Sequence, residues 1–226
     1  MSHQQHHSKH DIFLNRKEFQ LERMILFSDA VFAIAITLLI IEIKVPVLSE
    51  ISTHGVLEAL KEKIAEFFAF VLSFTVIGQF WITHHRVFGY VTGYTNGLLW
   101  LNLHMLFWIV LVPFTSGFNA QHGNLDIVWI IYSFNLFMIG LSLYFINRYI
   151  GNEKRNLSTI ADKPYIKKFM YIRSLVTALI FAVGFLLCII DWPPASWAAR
   201  LIYFFIPVAL MIINKKAKKV HAVAGQ

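Results

Sequence analysis

The chain has 226 residues, 57% of them hydrophobic and 15% aromatic, with a mean hydropathy of +0.59 and a formal charge of +7. Its apolar residues fall in runs that a soluble domain of this size could not bury, which excludes a water-soluble enzyme and leaves a multi-pass membrane protein. The positive charge then reads as an orientation signal beside lipid headgroups, and no nucleic acid is expected as a partner.

Crossing about 30 Å of hydrocarbon takes about 20 helical residues at about 1.5 Å each. Six segments meet that length, at about 24–43, 64–83, 97–118, 126–147, 170–190 and 196–213. Strands of a membrane barrel would be about 10 residues long with strict alternation. The expected fold is therefore an all-α integral membrane protein with six transmembrane helices per subunit, forming one integral domain over 23–213.

Residues 1–22 form a polar tail. Its opening, MSHQQHHSKH, places His3, His6, His7 and His10 in a stretch without apolar content; metal binding was weighed against a mobile tail, and the composition favours the tail. No metal is expected. Because the tail is polar and the first apolar run is long enough to stay in the membrane, no cleaved secretory signal is expected either. The first span, RMILFSDAVFAIAITLLIIEI (23–43), carries Arg23, Ser28 and Asp29 in its first two turns, and the second closes on WITHHR (81–86) with His84 and His85.

The turn that follows contains VTGYT (91–95), the letters of the potassium-filter sequence TVGYG in scrambled order. No pore loop holds it in register, so Gly93 and Gly97 read as turn residues. Helix three opens with LWLNLHMLFW (99–108), which carries Asn102 and His104; Pro113 and Pro207 read as kinks near span ends. Residues 148–169 form a charged loop, Cys188 in the fifth span reads as a packed thiol, and 214–226 form a basic tail containing KKAKK.

With an even number of spans both termini share one side. All of the 20 Lys and Arg except Lys44, Lys61, Lys63 and Arg200 fall on that side, and by the positive-inside rule it is cytoplasmic. Helices one and three start there and helix two ends there. Three separate stretches thus deliver Asp, His, Asn and Arg to one leaflet, as a buried hydrogen-bonded network between helices requires.

Two readings compete for this cluster. In one, Asp29 and the membrane histidines form a proton relay or cation site of a proton-coupled secondary transporter. In the other they clamp helix one against helices two and three. At about 100° per residue, Ile34, Thr37, Leu38 and Ile41 form one stripe, and Asp29 lies about 140° from Ile34. If the stripe faces a pathway, Asp29 faces away from it, which favours the clamp. Taken alone the stripe carries little, because apolar residues at this spacing in a membrane helix commonly face lipid or another helix.

Enzyme readings fare worse. His84, His85 and His104 are too few for the histidine clusters of a membrane di-iron oxygenase, and neither HExxH nor GxSxG occurs. Against the transporter, no Gly/Pro-broken pair of helices in matching halves and no inverted repeat is visible. A membrane scaffold without transport would share the composition.

Arg23-x-x-x-Phe27-Ser28-Asp29 followed by AVFAIAITLLIIEI, with FWITHHRVF in the second span and LNLHMLFWIVLVPF in the third, resembles the TMEM175 family of potassium channels. The resemblance covers the chain from about Arg23 to the sixth span. Vertebrate members are similar to two fused six-span units; this chain, with one unit, resembles the prokaryotic type. It implies a homotetramer in the cell membrane, in contact with membrane lipids, whose four copies of helix one line a central pore for monovalent cations. By position, Ile34, Leu38 and Ile41 match hydrophobic pore layers, with Ile34 the narrowest, and Thr37 matches a hydroxyl-bearing position tied to potassium preference. Arg23, Phe27, Ser28 and Asp29, together with His84, His85 and Asn102, match the structural motif that packs helix one. The activity implied is passive conduction of potassium, with modest selectivity, no cofactor and no enzymatic step.

The physics of such a pore is general. An apolar ring too narrow for water closes by dewetting, because an ion stripped of hydration gains nothing from a methyl group. Threonine hydroxyls or helix carbonyls nearby offer it oxygen ligands.

Overall fold

A computed structural model describes residues 2–47, 51–160 and 163–190, with side chains from residue 18 onward. The expected sixth span at 196–213, with Arg200, Pro207 and the basic tail, lies outside the described residues, as do the side chains of the four N-terminal histidines.

The chain begins with α1 (Ser2–Ile41). No Gly or Pro occurs before Pro46, so nothing interrupts the backbone ladder. The polar N-terminal segment is accordingly a continuation of the first membrane helix, where sequence alone suggests a mobile tail. A short helix, α2 (Thr53–Glu62), follows, with the Ser52 hydroxyl accepting from the Gly55 amide at 3.1 Å. Then come α3 (Ile64–Phe88), α4 (Asn96–Val110), α5 (Val112–His122), α6 (Asp126–Ile150), a 3-10 turn over Glu153–Arg155, and α7 (Pro164–Ile189).

Five stretches among the described residues are long and apolar enough to cross a membrane: Glu18–Ile41, Ile64–Phe88, Asn96–His122, Asp126–Ile150 and Pro164–Ile189. The third of these is two helices, not one. α4 stops at Val110 and α5 restarts around Leu111 with Pro113 in its first turn, because proline lacks the N–H of the ladder and its ring clashes with the carbonyl four residues back.

The segment after α6 is a folded strap. Leu157 carbonyl oxygen accepts from the Thr92 and Gly93 amides at 2.9 and 3.3 Å, and the Thr159 amide donates to the Tyr90 carbonyl at 3.0 Å. Val91, Leu157 and Ile160 are buried beneath it, and Asn156 takes the left-handed conformation (φ 46°) that reverses the chain. Gly93 lies in this contact, and a Cβ there would stand 3.0 Å from the Leu157 side chain. VTGYT is thus the turn onto which the strap folds.

α1 lies against α3, α4 and α5, while α6 packs on α4, α5 and α7. Phe32, Leu39, Ile77, Leu98, Met105 and Phe181 fill the interior. In lipid the apolar exterior gives helices no hydrophobic reason to associate, so close packing and polar contacts carry the assembly. The tightest approach is between α6 and α7, where a Cβ on Gly140 would lie 3.0 Å from the Ala178 Cα. Gly140→Val is expected to lower stability by about 1–3 kcal/mol through overpacking. Gly78→Ala, where nothing lies within 4 Å, should be neutral or stabilising by up to about 1 kcal/mol. Thermal unfolding of the two purified variants checks the contrast.

Candidate functional site

The two sides of α1 have opposite environments. Leu21, Met24, Ser28, Phe32, Ala35 and Leu39 are buried in the bundle at helical spacing. Ile34 is 57% exposed, Leu38 38% and Ile41 70%, with Thr37 and Phe27 exposed as well. The stripe therefore lies on the exposed side of α1, away from the described helices that bury Ser28 and Phe32.

Ser28 holds the buried side. The Asn102 side-chain amide on α4 donates to the Ser28 hydroxyl at 2.8 Å, and that hydroxyl donates to the Met24 carbonyl at 2.8 Å. Asn102 uses its NH2 in this way, so its carbonyl oxygen is left as the acceptor for His84 Nε2, 2.9 Å away on α3. His84 is then the Nε2–H tautomer, with Nδ1 buried and unpartnered. Its ring stacks on Phe88 at 4.1 Å and meets Phe32 at 5.5 Å. All three polar residues have no accessible surface. The hydrogen-bond chain thus joins α1, α4 and α3 through fully buried polar groups.

Asp29, one residue on, is half-buried at the edge of this clamp and accepts from Trp81 Nε1 at 2.9 Å. Trp81 lies three residues before His84 on α3, so both face α1. Its position one turn from His84 is the signal that marks it in the sequence, although its role as the donor to Asp29 emerges only in the fold.

Other residues of the motif are not drawn in. Arg23 is exposed, its guanidinium over the Phe19 ring of the same helix at 5.8 Å. His85 is exposed and lies against the Trp81 ring at 5.6 Å. His104 turns to α6 instead: Trp108 Nε1 donates to its Nε2 at 3.3 Å, leaving Nδ1–H for the Ser142 hydroxyl at 2.9 Å.

A second polar contact, which sequence reasoning missed, joins α3, α5 and α6. Ser73 bonds Ser116 at 2.6 Å and the buried Tyr132 hydroxyl at 3.0 Å. Serines inside apolar runs give little warning of this, because they also satisfy themselves against their own helix, as Ser28 and Ser174 do.

Among the described residues no group of three His, Cys, Asp or Glu could hold a metal ion. The contacts of the site form a directed hydrogen-bond chain from α1 through α4 to α3.

A family model described as the endosomal/lysosomal potassium channel TMEM175 matches residues 23–113, beginning at Arg23. A potassium channel of Streptomyces collinus is 40% identical over 123 residues, 53% of this chain and 58% of its own length, so the chain spans little more than half of that relative. A potassium channel of a Chryseobacterium species is 31% identical over 173 residues, covering 72% of this chain and 86% of that protein. The crystal structure of a lysosomal potassium-selective channel TMEM175 homolog from Chamaesiphon minutus superposes with a TM-score of 0.70, over 88% of this chain and 98% of that one. At 24% identity this last likeness is one of fold.

Replacing Asn102 by Leu should expose the importance of the clamp, since it strands His84 Nε2, whereas the Ser28 hydroxyl keeps its acceptor on Met24. A loss of about 1–3 kcal/mol is expected for the one stranded group. Trp81→Phe should cost less because Asp29 is reached by water. Denaturation of the detergent-solubilised variants measures both.

Proposed function

This chain belongs to the TMEM175 family, and on that premise we propose that it is a passive potassium channel of modest selectivity, assembled from four copies whose α1 helices line a central pore. The observation that carries this reading is the pair of opposite faces on α1. One face is committed to the bundle through Ser28, while the other presents Ile34, Thr37, Leu38 and Ile41 as exposed side chains, uncovered by the other described helices. Four such faces around an axis would bury one another and enclose a narrow path.

In this arrangement Ile34 forms the constriction that closes by dewetting, with Leu38 and Ile41 as further apolar layers. The Thr37 hydroxyl donates its proton to the Ile34 carbonyl at 2.9 Å. Its oxygen is thereby left as an acceptor, the chemistry a partly dehydrated cation needs. Asp29, Ser28, His84 and Asn102 act from behind the pore wall by holding α1 in rotation. The sixth helix expected at 196–213 completes the unit, and the distribution of Lys and Arg places both termini in the cytoplasm. The members described above are channels by name, so catalysis has no part in this reading.

Flux from liposomes holding the purified protein tests it, under a potassium gradient and then a sodium gradient. Potassium flux should exceed sodium flux. Ile34→Asn should wet the constriction; a barrier lower by about 1.4 kcal/mol raises flux about tenfold. Thr37→Val should leave conduction intact while shrinking the potassium preference. Unchanged flux in Ile34→Asn would remove the constriction from that position. Flux that needs a proton gradient and vanishes in Asp29→Asn would make the protein a proton-coupled carrier.

A further inference from the structure

We propose that the surface where the end of α6 meets the start of α7 binds the phosphate headgroup of an anionic membrane phospholipid, through Arg148, Lys167 and the Tyr171 hydroxyl. This site is separate from the α1 stripe and does not depend on ion conduction.

Its geometry begins with depth. α6 has 25 residues, about 37 Å at about 1.5 Å each, which exceeds about 30 Å of hydrocarbon. Its last turn therefore emerges at headgroup level. Arg148 lies in that turn and Tyr144 lies one turn deeper on the same face. α7 enters beside it, with Lys167 in its first turn and Tyr171 one turn deeper. Charged groups thus sit at phosphate level, with phenols just below them, which is the depth at which tyrosine is favoured in membrane helices.

The groups converge. Tyr144 and Tyr171 rings meet edge-on, with centroids 6.5 Å apart. Tyr171 lies within electrostatic range of Arg148, Lys167 and Glu153. Its hydroxyl reaches across to Gly151, where a Cβ would collide with it. The glycine after α6 thus makes room for a phenol from the neighbouring helix.

Arg148 and Tyr171 have donor capacity to spare, and Lys167 is shared with a carboxylate. The exposed Arg148 guanidinium donates only to the Tyr144 hydroxyl, at 3.4 Å, and no carboxylate pairs with it among the described residues. Among the same residues the Tyr171 hydroxyl makes no hydrogen bond. Lys167 is half-buried against Glu153, with Nζ to Oε1 at 2.6 Å. Its ammonium holds the Glu153 carboxyl below the ordinary carboxylate range. An arriving phosphate would share Lys167 with that carboxylate and take Arg148 outright. A fork of N–H donors, an ammonium and a phenol O–H on one surface suit a phosphodiester on two acyl chains better than a free anion, because the chains can lie along the exposed Leu175 and Leu179 of α7.

The test uses the full chain, purified in detergent and titrated with phosphatidylglycerol, phosphatidylcholine or glycerol 1-phosphate, with bound ligand counted by native mass spectrometry. Phosphatidylglycerol should bind preferentially. Arg148→Gln should weaken it about five- to tenfold, and Tyr171→Phe less. Arg86→Gln, which removes one exposed charge at the end of α3, should leave it unchanged. An equal loss in Arg86→Gln would reduce the effect to general surface charge and overturn the site. Glycerol 1-phosphate competing as well as the lipid would make the ligand a soluble anion, and no preference over phosphatidylcholine would leave no headgroup site; either result overturns the proposal. Because the readout is binding, a protein that conducts nothing would still pass or fail it.

Discussion

The rotation of α1 about its own axis rests on one asparagine. Asn102 has two functional ends, and each is spent on a different helix: its NH2 on Ser28 of α1, its carbonyl on His84 of α3. In a low-dielectric interior an amide left half-paired is costly. Turning α1 by even one residue, about 100°, would break the bond to Ser28 and strand the buried Asn102 NH2, while the bond from His84 to Asn102 would remain. The apolar stripe of α1 points outward because Ser28 points inward.

The remaining contacts follow the same economy. Helices that share a lipid solvent gain little by burying more apolar surface, so their order is set where small residues permit close approach and where polar groups meet. Gly140 against Ala178 joins α6 to α7. Ser73, Ser116 and Tyr132 join α3, α5 and α6, and His104 with Ser142 joins α4 to α6. At the end of the bundle where the clamp lies, the strap of 156–160 closes on the turn after α3 through backbone hydrogen bonds. That closure ties the connection between α6 and α7 to the turn between α3 and α4.

Much of this was legible residue by residue. Ser28 and Asn102 are conspicuous as polar residues in apolar runs, and the helical period alone separates Asp29 from the Ile34 stripe. The resemblance carried by Arg23, Phe27, Ser28 and Asp29 led to the same family that the comparisons reach. Other readings depended on facts a linear pattern does not hold. Arg23 and His85 belong to the same motif by position, yet both lie exposed outside the clamp. His104, two residues from Asn102, is turned by about 200° on the helix and finds its partner on α6. The charged stretch 148–169 reads as a solvated loop, because backbone hydrogen bonds to a turn some 65 residues earlier leave no trace in composition.

The sequence by itself determined that the chain spans a membrane in helices, which residues are polar at membrane depth, and which of them share a helix face. These are consequences of length, hydropathy and a period of 3.6 residues, all local properties. Only the tertiary structure decided that Asp29 is paired with Trp81, that His84 meets Asn102, and that the strap is folded. Each of those depends on which helices are neighbours and how each is turned. That choice is made by many small packing and hydrogen-bond terms acting between residues far apart in the chain, and no local pattern encodes their sum.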